Sequence, residues 1–113
     1  MMLCFFAGCT GSVDDLEALE ALELESRAMA GTGSCEEEAS CTTVAFGSKP
    51  CGGPWEYVVY CASEIDEEAF LAKVAEYNTA EEEYNLLHGI ASDCSEAIDP
   101  GAMLVDGVCV AYQ

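Results

Sequence analysis

The chain has 113 residues, enough for one small domain and too few for a large core. With 22 acids against 3 bases it carries a net charge of −19, which excludes nucleic acid and anionic lipid headgroups as charge-driven partners. Eight cysteines with no C-x2-C pair, and one isolated histidine (His88), favour disulfides over zinc and therefore an oxidising compartment.

Residues 1–9 read MMLCFFAGC. Phe6-Ala7-Gly8-Cys9 resembles the bacterial lipoprotein cleavage signal, in which an apolar residue and two small ones precede an acylated cysteine. The resemblance implies Cys9 as the lipidation site, a membrane anchor worth about 0.8 kcal/mol per buried methylene, and export to the cell envelope on its periplasmic or surface side. Phe6 stands where that signal prefers leucine, and the apolar run is shorter than a whole signal peptide, so the segment is expected to be the remnant of a longer leader. It is also too short to span a bilayer. The other reading is an apolar strand with Cys4 and Cys9 as ordinary disulfide partners. Setting those two aside leaves an even six: Cys35, Cys41, Cys51, Cys61, Cys94 and Cys109.

Residues 10–34 are expected to form an acidic, partly helical tether. Ser12 can cap a helix, with Asp15 three residues on. Leu16, Leu19, Leu22 and Met29 make a thin apolar stripe among six acids, and Gly31-Thr32-Gly33-Ser34 ends it.

Residues 35–113 form the expected folded domain. Cys41–Phe46 reads as a strand, Gly47–Pro54 as a loop and Trp55–Cys61 as a second strand with Tyr57, Val59 and Cys61 on one face and Val58 and Tyr60 on the other. A long helix follows, capped by Ser63 or Asp66, with Phe70, Val74, Tyr77, Tyr84 and Leu87 on one side. Glu76, Glu81, Glu82 and Glu83 are expected to face water, and Gly89 to end the helix. Residues 90–94 are expected to be a short extended segment. Met103–Val105 and Val108–Val110 flank Asp106-Gly107, a type I′ hairpin signal. The expected class is α+β: a small disulfide-stapled antiparallel sheet packed by one long helix, preceded by the tether.

The segment from Gly47 to Tyr60 (GSKPCGGPWEYVVY) carries the densest information. It resembles a G-x-K-x-C-G-G-P-x-x-Y-x-x-Y motif of uncharacterised small secreted proteins and lipoproteins of bacteria, over about Cys35 to Val110. That resemblance implies export and fold but no activity, and Cys61 stands where the group has serine. Lys49, Pro50, Gly52, Gly53, Pro54 and Trp55 form a candidate binding loop around Cys51, stiffened by prolines and bent by glycines. The competing reading is a structural corner with Lys49 paired to acids of its own surface. Cys51 is expected to pair with Cys94, the remaining pairings staying open.

No catalytic residue, metal site or cofactor is expected. His88 and Cys94 lack a specified acid–base partner, and the acidic runs lack calcium-loop spacing. The expected function is a non-catalytic, lipid-anchored interaction module of the cell envelope with a protein partner. The alternative is an inhibitor of a secreted hydrolase, either a protease or a lysozyme.

Overall fold

The computed structural model describes residues 12–112. Segment 1–9, including the expected lipid site at Cys9, lies outside the described residues. The fold is α+β with three disulfides among the described residues, in the order α1 (Ser12–Met29), β1 (Cys41–Phe46), β2 (Glu56–Cys61), α2 (Glu67–His88), β3 (Ala102–Val105) and β4 (Val108–Ala111).

β1 and β2 pair antiparallel, Cys41 opposite Cys61 and Phe46 opposite Glu56. Side chains alternate across a strand, so this ribbon has two unlike faces. One carries Val44, Phe46, Val58 and Tyr60, which pack with Phe70, Val74 and Tyr77 of α2. Phe46 stacks on Tyr77 at 4.9 Å between centroids, and Tyr60 meets Phe70 edge-on at the same distance. The Tyr60 hydroxyl donates to Glu67 Oε2 at 2.7 Å. Burial, reinforced by that carboxylate, pushes the phenol's pKa upward. The ribbon's other face carries Cys41, Val59 and Cys61, which pack with Cys35, Leu104 and Cys109.

The β3–β4 hairpin covers this cystine face. Its turn is the expected one: Asp106 and Gly107 both have positive φ, 52° and 80°, as a type I′ turn requires. β3 and β4 do not extend the β1–β2 ribbon; there are two two-stranded sheets rather than one. Disulfides substitute for the missing ladder between them. Cys41–Cys109 joins ribbon to hairpin, and Cys35–Cys61 joins the ribbon to the chain entering it. Each such link contributes about 2–4 kcal/mol.

α2 begins and ends as its sequence predicts. Asp66 accepts from the Ala69 amide at 3.1 Å, and Gly89 closes the helix in the left-handed conformation. Its apolar side departs from expectation at one end: Leu87 is 73% exposed and lines a groove against α1 instead of joining the core. Residues 90–101 contain no strand, so the expected extended segment at 90–94 is irregular chain.

Residues 12–30 are not a free tether. α1 is a full helix whose Leu19 and Ser26 are buried, with Ala30 buried just beyond it and Leu22 and Met29 half-buried. It lies along α2. Ser26 makes the close approach: it is fully buried, its hydroxyl donating to Leu22 O at 2.7 Å and reaching Lys73 O at 3.5 Å. Arg27 clamps α1 to the ribbon, bonding Glu23 at 3.0 Å and Glu56 at 2.7 Å while lying 4.4 Å from the Phe46 ring centroid. The boundary expected at residue 34 is also crossed, since Ser34 bridges Val108 and Gly33 O accepts from the Cys109 amide at 2.8 Å.

Ser26 therefore gives a direct test of α1 docking. Ser26→Leu should overpack the helix contact and cost about 1–3 kcal/mol in chemical denaturation. Ser26→Ala should change stability by less than about 1 kcal/mol. A tether would tolerate both equally.

Candidate functional site

The loop from Gly47 to Trp55 is held from three sides. α2 supplies a polar stripe at helical spacing, Asn78, Glu81 and Asn85. The Asn78 side chain accepts from the Gly47 amide at 2.7 Å and donates to Ala45 O at 3.3 Å. Glu81 accepts from the Ser48 amide, and Asn85 donates to Ser48 O at 2.8 Å. Glu81 is thus turned toward the loop rather than toward water. The loop also bonds itself, the Lys49 amide donating to Gly53 O and the Gly52 amide to Lys49 O, both at 2.8 Å. Gly47 cannot be another residue without rearrangement: its φ is 88°, and an added Cβ would lie 2.7 Å from the Trp55 ring.

The third support is the segment after α2. Cys51 pairs with Cys94, the pairing expected from the sequence. Lys49, the centre of the candidate binding loop, points inward. It is 7% exposed, and its ammonium donates to Ser95 O at 2.7 Å, Asp93 at 3.0 Å and Ser95 Oγ at 3.2 Å. It also lies 5.3 Å from the Trp55 ring centroid. Desolvating an ammonium is costly, and this one is compensated by all three contacts. Lys49 cannot enter a protease specificity pocket without giving them up.

Pro50 and Pro54 are half-buried, Gly52, Gly53 and Trp55 are exposed, and a hollow of about 370 Å³ separates Gly53 and Tyr57 from Ser95 and Glu96. The loop is therefore a braced corner with an exposed tip. Asn78, Glu81 and Asn85 of α2, with Asp93 and Ser95 beyond it, hold this corner without having been assigned to it from the sequence. The asparagines carried a signal, because Asn is a poor helix former and Asn78 and Asn85 stand seven residues, two turns, apart.

A second surface feature lies between the helices. Where α1 and α2 diverge, Ala18, Leu19 and Leu22 face Ala80, Tyr84 and Leu87 across a groove of about 220 Å³. Asp15 and Glu83 stand at its mouth. Leu87 in its lining is 73% exposed. The volume is below that of ordinary small-molecule pockets and suits a few apolar side chains.

His88 stacks on Tyr84 at 4.2 Å between centroids. Cys94 is oxidised, so the pair cannot supply a cysteine nucleophile in this state. Among the described residues every cysteine is in a disulfide, and no helix is long and apolar enough to cross a membrane. Three disulfides in a chain this small suit an extracytoplasmic compartment. No protein-family model matches the chain, nor does any curated protein or solved structure.

Asp93 is the titrating element of the braced corner. The Ser95 hydroxyl and then the Lys49 ammonium hold its pKa down at about 2, below its ordinary 3.8. A carboxylate with a lowered folded pKa stabilises fully above its unfolded value and ceases to do so as pH falls through the folded one. The Lys49–Asp93–Ser95 contact should therefore loosen between about pH 4 and pH 2, read as a change in Trp55 fluorescence. Asp93→Asn should abolish that step. An unchanged acid titration in the variant would place the step elsewhere.

Proposed function

We propose that the protein is a non-catalytic interaction module of the bacterial cell envelope, held at the membrane by a lipid on Cys9. Its docking surface is the α1–α2 groove, and its partner presents a basic amphipathic helix. The observation that carries this reading is an apolar groove between two helices, rimmed by acids, on a chain of net charge −19. Helix-in-groove recognition places apolar anchors in such a trough. Charge complementarity supplies the sign of the partner, because basic residues flanking those anchors meet Asp15 and Glu83 in the groove lining.

The Lys49 loop, the candidate binding surface from the sequence, is better read as a brace that ties the end of β1 to α2. Its hydrogen-bonding groups are committed internally. Cys9 lies just ahead of α1 in sequence, so a lipid there would bring the groove close to the membrane.

A fluorescein-labelled amphipathic helix of lysines and leucines should bind the protein and weaken steeply with added salt. Leu87→Glu and Ala18→Glu, both at exposed positions, should each weaken binding by about tenfold or more, since an apolar anchor contributes about 1.5–3 kcal/mol. A scrambled peptide of the same composition should bind poorly. Equal binding of the scrambled peptide, or indifference to both substitutions, would leave only nonspecific attraction to an acidic chain. Separately, Cys9→Ser should move the protein from the membrane fraction to the soluble exported fraction. Retention on the membrane would remove the lipid from the proposal.

A further inference from the structure

The cystine face of the ribbon gathers four sulfurs from four separate pieces of chain. Cys35 follows α1, Cys41 opens β1, Cys61 closes β2 and Cys109 lies within β4. The Sγ atoms of Cys35, Cys41 and Cys109 lie within 4.8 Å of one another, and Cys61 is bonded to Cys35. Cys35, Cys61 and Cys109 are buried.

Backbone pairing holds these four positions in two couples, 41 with 61 and 35 with 109, and the packing of the cystine face together with the two disulfides brings the couples together. Cys41 and Cys61 are direct partners in the β1–β2 register. The Cys35 amide donates to Gly107 O at 2.9 Å, the Cys109 amide donates to Gly33 O at 2.8 Å, and Ser34 bridges Val108. Opening both disulfides would leave four thiols converging on one buried point. Tetrahedral zinc thiolate sites have Zn–S distances of about 2.3 Å, which puts neighbouring sulfurs about 3.8 Å apart. Three of these sulfurs already fall within 4.8 Å of each other, so small side-chain rotations reach that geometry. Ser63 Oγ lies 3.4 Å from Cys61 Sγ, placed to donate to a thiolate. The strongly negative surface raises the local concentration of divalent cations.

We propose that the reduced chain binds one zinc ion through Cys35, Cys41, Cys61 and Cys109, so that the same four residues form either two disulfides or a Cys4 metal centre. Reduction of the two disulfides by an external dithiol or phosphine takes up four electrons and four protons and yields four thiols. Binding of Zn²⁺ then releases four protons and leaves a tetrathiolate of charge −2. The linear spacing gives no hint of this, because ligands 35, 41, 61 and 109 lack a close pair. The ribbon and hairpin assemble what the sequence scatters.

The full chain, reduced with a phosphine under anaerobic conditions, should be titrated with Co²⁺ as a spectroscopic stand-in for zinc. Tetrahedral d–d bands and a thiolate-to-cobalt charge-transfer band should saturate at one ion per chain, and Zn²⁺ should bleach them. Cys51→Ser/Cys94→Ser and Cys4→Ser/Cys9→Ser should give the same spectrum and endpoint, whereas Cys35→Ser/Cys109→Ser should lose the tetrathiolate bands. Reduced wild type that shows no stoichiometric tetrahedral spectrum, folded or not, would overturn the proposal. So would a Cys35→Ser/Cys109→Ser variant that kept the spectrum.

Discussion

The fold depends on a six-residue ribbon with two incompatible faces. β1 and β2 turn Val44, Phe46, Val58 and Tyr60 to one side and Cys41, Val59 and Cys61 to the other. Each face calls for a different cover. The aromatic face takes a helix, whose curved surface can interdigitate with Phe46 and Tyr60. The cystine face takes a hairpin brought up by Cys41–Cys109. Neither cover alone would bury both faces, and two-stranded ribbons are marginal in isolation. The small core and the covalent links are therefore complementary, as expected where a short chain cannot bury enough surface to stand without them.

Charge explains how the outer elements are attached. A chain of 22 acids repels itself, and its three bases all sit where two elements meet. Arg27 joins α1 to β2, Lys49 joins the loop to the segment after α2, and Lys73 bridges Glu76 on its own helix to Glu25 of α1 at 3.5 Å. The exposed pairs are worth little singly, about 0–1 kcal/mol, but they remove repulsion where it would separate elements. Lys49 differs from the others because it is buried, which makes it a structural element rather than a lure. Among the described residues the lining of the α1–α2 groove includes Asp15 and Glu83 and no lysine or arginine, which is the charge pattern that the proposed basic partner answers.

What the sequence made legible is local. The alternation of Glu56–Cys61, the Asp66 and Gly89 ends of α2, and the Asp106-Gly107 turn each depend on a few neighbouring residues and were readable as such. The Cys51–Cys94 link, expected to join the loop to the segment after the helix, is the one formed, although cysteine spacing alone does not choose among the fifteen pairings of six cysteines. The unreadable parts are choices between distant partners. Alternation cannot say whether β3 joins β2 or pairs only with β4, so one sheet was expected where two ribbons exist. Acidity hid the docking of α1, because its buried stripe is thin and interrupted by a polar residue, Ser26, whose hydroxyl is satisfied by its own helix. Lys49 looked displayed because a lone cation beside a bent cysteine loop is ambiguous. Only the positions of Asp93 and Ser95 settle its direction.

Packing of α1 on α2 is the point on which the groove, the acidic rim and the proposed role all rest. Residue-resolved amide hydrogen exchange on the oxidised protein measures it directly. Amides around Leu19, Leu22 and Ser26 should be protected to the same order as those around Val74 and Tyr77 of α2, opening with the domain rather than ahead of it. Exchange of residues 15–29 at the rate of a free peptide, with α2 still protected, would return α1 to a tether and dissolve the groove.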